Sequence, residues 1–417
     1  MKFSKIVGSP VRGPHRWRGL SQLLLVSGLG LVAAIYLSGC QLVTIDYVYL
    51  AESDTSAGSN GQIETLAVDS QSGALRSGPP KTDTGGPSPV ALAVSADYAH
   101  LYVANQGNNS VVHFAIASDG RLTQKDSVTL PDAPVYLAVN AAGTYLFVAS
   151  GTTSATLTVY TLGSGTIGSA AAQQVLTVPG FPGDTLVPTG VTALANNSAV
   201  YVTAYDQSAY NPGGTTTSNA HPGWVFGFNV GSGGALTATG GGPYQAGVKP
   251  TALTADPTSR FIYVTDYASN HLIGYTVQSN GILTFLLNGP FRTGSEPSAV
   301  TIDPRGKFMY VSNSLDASVS AFLIDWATGT PSAAVNVTGA SINSTDTQPV
   351  SVVVDPALGR YVYTANILGN SVSGFRIDPN AGSLSPAQAT PFPTNKPKPT
   401  AIVCIPHGNH STQFVSK

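Results

Sequence analysis

Apolar and polar residues alternate with a period of two along most of this chain. The runs are short and are broken by glycine, proline, asparagine and aspartate. The stretch PTALTADPTSRFIYVTD, from Pro250, shows the form: an alternating segment, an Asp-Pro turn, and a second alternating segment through an aromatic residue. Alternation of this period predicts half-buried β-strands, and the turn residues predict hairpins between them. A polar loop and a third alternating strand follow, as in NSVSGFRI, and a glycine turn such as SNGIL leads into a fourth.

The unit recurs. Pro89, Pro134, Pro188, Pro250 and Pro297 each stand 13 residues before an aromatic, and Pro349 stands 14 before Tyr363. Four strands per unit at this spacing predict the blades of a β-propeller, because one such sheet buries its two faces only by stacking radially on its neighbours. The count is seven. DYVYLAE, Asp46 to Glu52, is a second strand with no first strand before it, and PTAIVCI, from Pro399, is a first strand with nothing after it. The fold expected is therefore an all-β, seven-bladed propeller of four antiparallel strands per blade, closed by pairing the C-terminal strand into the first blade.

Composition fits this architecture. Charged residues make up 10% of the 417 residues, whereas glycine (45) and proline (29) are abundant. The first forty residues differ: Lys2, Lys5, Arg12, Arg16 and Arg18 precede the apolar run LLLVSGLGLVAAIYL, which ends in LSGC. A basic flank with a short apolar core is the pattern of an export signal. LSGC resembles the lipobox of bacterial lipoproteins, which implies removal of 1–39 and acylation of Cys40. Residues 40–45 then form a tether, 46–405 the propeller and 406–417 a polar tail. Gln41 after the cysteine favours the outer membrane, if the cell has one, by resemblance to lipoprotein sorting rules. Loss of the five leader cations leaves 14 basic against 21 acidic residues, a net charge of −7, which disfavours nucleic acid as a partner. Cys404, in TAIVCI, is then without a disulfide partner and reads as a core residue.

The segments YVAN, YVTD, YVSN and YTAN, each after a proline-led strand and a turn, resemble the repeats of the YVTN β-propeller family, which overlaps with the lactonase-like seven-bladed propellers. In that group lactone hydrolysis is attributed to His, Arg and Glu at the channel mouth, with a His often following the first-strand proline. Here those positions hold Val90, Val135, Thr189, Thr251, Ser298, Val350 and Thr400, so no catalytic residue carries over by motif.

Comparison among the blades separates scaffold from candidates. The recurring tyrosines 102, 201, 263, 310 and 363 read as structural, as do Asn105, Asn313 and Asn366, expected to bond backbone, and the turn residues Asp256, Asp303 and Asp355. The long loops Asp206–Trp224, Thr338–Gln348 and Glu52–Gln62 all belong to one face, here called the top. The residues before the first-strand prolines, at the channel mouth, include Lys249, Glu296 and Lys398, with Arg292 just upstream of Glu296. Together they form a candidate cluster for a carboxylate or phosphate, with Glu296, Arg292 and Lys249 as the candidate catalytic groups. Asp206, His221, Asp266 and His271 are further candidate binding residues. Gly163, Gly165 and Gly168 match a dinucleotide-binding pattern, with Asp184 downstream, but no βαβ unit surrounds them. No metal-ligand spacing occurs, and no cofactor is expected. The leading expectation is a lipid-anchored binding module of the bacterial envelope, its top face toward a protein, glycan or small molecule. A lactonase-like hydrolase at the channel mouth is the alternative, and a passive cell-surface structural protein is the second.

Overall fold

A computed structural model describes residues 43–407 apart from 54, 55, 57, 153, 182 and 208–222. Seven antiparallel sheets form one ring. Their innermost strands, from blade 1 to blade 7, are Pro399–Pro406, Pro89–Val94, Pro134–Val139, Leu186–Ala193, Pro250–Ala255, Pro297–Ile302 and Pro349–Val354. Each packs against the next, and blade 7 packs back on blade 1.

Closure occurs as the sequence predicts. The strand Thr44–Glu52 lies between Gln62–Asp69 and the terminal strand Pro399–Pro406, with Tyr47 opposite Ile405 and Leu50 opposite Ile402. In blades 2 and 3 the outermost strand is continuous, as in Leu122–Thr129. In the others it is split, as in Leu283–Phe285 and Phe291–Arg292 of blade 5. This corrects one loop assignment: Ile342–Ser344, inside the stretch read as a loop from Thr338 to Gln348, pairs with Ser318–Ile324 as part of an outer strand.

The repeated tyrosine has a physical cause. Its ring is buried between blades, and its hydroxyl donates to the carbonyl of a turn glycine in the next blade. Tyr49 reaches Gly120 O (2.9 Å), Tyr102 reaches Gly165 O (2.6 Å) and Tyr201 reaches Gly281 O (2.7 Å). Tyr263 reaches Gly329 O (2.5 Å), Tyr310 reaches Gly382 O (2.9 Å) and Tyr363 reaches Gly73 O (2.8 Å). Blade 3 has Phe147 at this position and makes no such bond. The turn aspartates act as expected: Asp303 accepts from the amides of Lys307 and Phe308, and Asp256 from those of Thr258, Arg260 and Phe261. The asparagines act differently from one another. Asn105 donates to the backbone carbonyl of Thr84, whereas Asn313 and Asn366 donate to serine hydroxyls, Ser318 with Ser320 and Ser371 with Ser373.

A second set of contacts lies around the channel. The hydroxyls of Thr251, Ser298 and Thr400 donate to Pro297 O (2.7 Å), Pro349 O (2.7 Å) and Pro89 O (2.7 Å) of the following blade. The position after the first-strand proline, where no histidine stands, is thus occupied, in blades 5, 6 and 1, by a hydroxyl that stitches one blade to the next.

Candidate active site

The channel mouth is built where first strands begin. Lys249 and Glu296 precede the prolines of adjacent blades 5 and 6. Lys249 is held by its backbone: its amide and that of Val248 donate to the buried carboxylate of Asp266, at 3.0 and 3.2 Å. Gly247 (φ +79°) lies so close to that carboxylate that a Cβ would sit 2.0 Å from Oδ2. Asp266, read from sequence as a binding candidate, therefore positions the residue that faces the mouth.

The Lys249 ammonium lies 4.4 Å from the ring centre of Tyr267 and 5.6 Å from that of Tyr205. These tyrosines occupy one position in two neighbouring blades, four residues after Tyr263 and Tyr201. The other blades place Ser53, Gln106, Gly151, Ser314 and Ile367 there. Partial burial lowers the Lys249 pKa from its ordinary value, and the Glu296 charge opposes that fall. The Tyr267 hydroxyl donates to Glu296 Oε2 at 2.6 Å, and the Glu296 amide donates to Asn270 Oδ1 at 2.8 Å. Glu296 (φ +55°) adopts a left-handed backbone shared by Ser88, Gln348 and Lys398 at the equivalent positions.

The other sequence candidates lie apart from this group. Arg292 is exposed on the outermost strand of blade 5, opposite His271 on the third strand. Three strand spacings separate the outermost from the innermost strand, roughly 14 Å. Lys398 is exposed on blade 1, with blade 7 between it and Glu296. Asp206 is buried and accepts from the Thr185 amide at 3.2 Å. His221 and Cys40 lie outside the described residues. The expected four-residue cluster is thus a tyrosine–lysine–tyrosine–glutamate group instead. Sequence reasoning missed Tyr205 and Tyr267, although their recurrence in only two blades is a readable signal.

Three other titratable groupings were also missed. His113 is buried, and its Nδ1 lies 2.7 Å from Asp126 Oδ2 while its Nε2 lies 2.9 Å from His100 Nδ1. Asp46 faces Asp355, and Glu52 faces Glu64, in the seam where the ring closes. A groove of about 750 Å³ lies on the outer flank of blades 6 and 7, lined by Val337, Ile342, Phe375 and Arg376 among others, far from the mouth chemistry. Among the described residues, no three His, Cys, Asp or Glu side chains group to hold a metal ion.

Seven closed blades around a mouth that sets a carboxylate beside an ammonium define a propeller with the groups for acid–base chemistry. Residues 48–184 and 235–403 match the family described as Lactonase, 7-bladed beta-propeller, and the chain belongs to that family. A 59-residue segment is 37% identical to a 6-phosphogluconolactonase of Xenorhabdus nematophila; it spans 14% of this chain and 18% of that relative. Among solved structures, a periplasmic gluconolactonase of Pseudomonas aeruginosa superposes with a TM-score of 0.69 at 19% identity, covering 87% of this chain and 99% of that one. A putative 6-phosphogluconolactonase of Bacteroides uniformis gives a TM-score of 0.69 at 19% identity, covering 87% and 100%. Family membership overturns the leading expectation of a binding module and favours the hydrolase alternative. The missing histidine weighed against catalysis in the sequence; in blades 5 and 6 that position serves blade-to-blade bonding instead.

Proposed function

We propose that the protein is a lactonase that hydrolyses a sugar lactone at the channel mouth. The observation that carries this reading is the Tyr267 hydroxyl on Glu296 Oε2, beside the half-buried Lys249. Glu296 Oε1 has no hydrogen bond from the described residues and is available to a water. The carboxylate takes a proton as the water oxygen bonds to the lactone carbonyl carbon. The Lys249 ammonium stabilises the oxyanion that forms. The ring C–O bond then breaks, the leaving oxygen takes the proton from Glu296, and a hydroxy acid results. Arg292 has no step in this scheme.

The reading includes export and lipid attachment at Cys40, supported by the sequence alone, with the outer membrane as the destination where there is one. The tether is short: from Cys40 to Thr44, the start of the first described strand, four residues reach at most about 14 Å. That strand begins on the face opposite the mouth, so the mouth would point away from the bilayer.

The test is proton release by the purified full chain on phosphorylated and unphosphorylated sugar lactones, with Glu296→Gln alongside. Turnover abolished by the substitution supports the site. Turnover unchanged in Glu296→Gln removes Glu296 as the base, and no turnover of any sugar lactone by the wild type removes the reading.

A further inference from the structure

The strand that receives the terminal segment carries a fully buried carboxyl at each end, Asp46 and Glu52. Asp355, which faces Asp46, already accepts from the amides of Leu358, Gly359, Arg360 and Tyr361 and is therefore the natural bearer of charge. Apart from the Ala357 amide, nothing among the described residues donates a well-formed hydrogen bond to either Asp46 oxygen. The other end repeats the arrangement. Glu64 accepts from the backbone and side chain of Asn395, while Glu52 Oε1 accepts from the Lys396 amide at 3.3 Å and Oε2 is buried without a donor. A buried orphan acceptor is costly, and a proton placed between two facing carboxyls removes the cost.

The other blades do not repeat these pairs. Where Asp46 stands, blades 5, 6 and 7 carry Arg260, Lys307 and Arg360. Where Glu52 and Glu64 stand, blades 6 and 7 carry the neutral sets Asn313 with Ser320 and Asn366 with Ser373. Both departures fall on the strand Thr44–Glu52, hydrogen-bonded along its length to Pro399–Pro406.

We propose that the ring closes through a proton latch: protonated Asp46 donates a hydrogen bond to the Asp355 carboxylate, protonated Glu52 donates one to the Glu64 carboxylate, and the terminal strand loosens as these protons are lost. Among the described residues, the titratable groups acting on Asp46 are Asp355, Cys404 on the terminal strand, Tyr363 of blade 7 and Tyr98 of blade 2, none of them a cation. Around Glu52 stand Glu64 and Lys81, the latter opposing the effect in part. Burial, then the facing carboxyl, pushes Asp46 up to about 9, and burial with Glu64 moves Glu52 in the same direction. A carboxyl raised in the folded state takes up a proton on folding. Its effect on stability is therefore absent in acid and grows more unfavourable as pH rises from the ordinary carboxylate range to the raised value.

The experiment follows thermal unfolding and amide hydrogen exchange of the full chain from about pH 6 to about pH 9.5, for wild type, Asp46→Asn, Glu52→Gln and the double variant. The amides keep shape and donor but cannot ionise. The wild-type Tm is expected to fall with pH, with protection of Pro399–Pro406 falling about tenfold more than that of Pro250–Ala255, and both trends are expected to flatten in the double variant. A flat wild-type profile, equal slopes in all four proteins, or equal loss of protection in the two strands overturns the latch. Should a variant fail to fold, the infrared signal of protonated carboxyl groups in the wild type at neutral pH decides: its presence supports the proposal and its absence overturns it.

Discussion

Lys249 shows how one side chain acquires its chemistry from its surroundings. Partial burial reduces its hydration, which disfavours the ammonium; the neighbouring Glu296 charge restores part of it, and the two tyrosine faces that flank it attract the cation. In the proposed reaction the ammonium must stay charged. Activity, after subtraction of spontaneous hydrolysis, should therefore fall on an alkaline limb below the ordinary lysine range. Lys249→Arg, which stays charged throughout, should move that limb upward whatever it does to the maximal rate. An unmoved limb in the pH–rate profile would assign it to another group. Tyr267→Phe removes the hydroxyl that orients the Glu296 carboxylate, and so predicts a kcat loss of roughly 10- to 100-fold with KM little changed. Steady-state kinetics on the same lactone checks this.

At the scale of strands and turns, the molecule repeats one device with local exceptions. The tyrosine hydroxyl bound to the next blade's glycine leaves a buried carbonyl unpaired if it is removed. Tyr263→Phe and Tyr310→Phe should each cost about 1–2 kcal/mol in urea unfolding, less than a cavity would, since Phe147 already fills this position in blade 3. A second exception is His100, which occupies the slot over the next blade's turn glycine that Phe261 and Phe308 fill elsewhere. With Asp126 accepting from His113 Nδ1, His113 Nε2 accepts from His100 Nδ1. Burial, then His113, holds the His100 pKa below its ordinary value. A histidine depressed in this way contributes stability that is full above its unfolded pKa and is lost as pH falls below it. His100→Phe should flatten that acid limb of Tm against pH, at the cost of an unpaired His113 nitrogen. The strands, the blade register and the ring closure were legible in the sequence because alternation and turn chemistry are local and recur seven times. The mouth was legible only in part. Lys249 and Glu296 stood out because they break the repeat beside a proline. Arg292 was grouped with them by chain proximity, although four residues separate the outer edge of one blade from the inner edge of the next. The pair Asp46–Asp355 left no trace, because its members are 309 positions apart in the chain and meet only where the ring closes.

For the molecule as a whole, closure is what makes seven marginal sheets one cooperative body. The terminal strand presents alternate residues to opposite neighbours: Ile402 and Cys404 pack with Tyr361, Tyr363 and Phe392 of blade 7, while Ala401 and Ile405 pack with Leu92, Leu101 and Val103 of blade 2. A charge at Ile402 would lie in a dry interface with no partner, a change that costs several kcal/mol. The same aspartate at Phe285, 57% exposed on an outer strand, is expected to be nearly neutral. Because opening the seam uncovers faces of blades 7 and 2 together, the loss in Ile402→Asp should not stay in blade 1. The expected result in urea is one transition moved to lower denaturant, with far-UV circular dichroism and tyrosine fluorescence coincident. Two separated transitions, or equal midpoints for Ile402→Asp and Phe285→Asp, would mean that the blades stand independently and that the terminal strand is not what joins them.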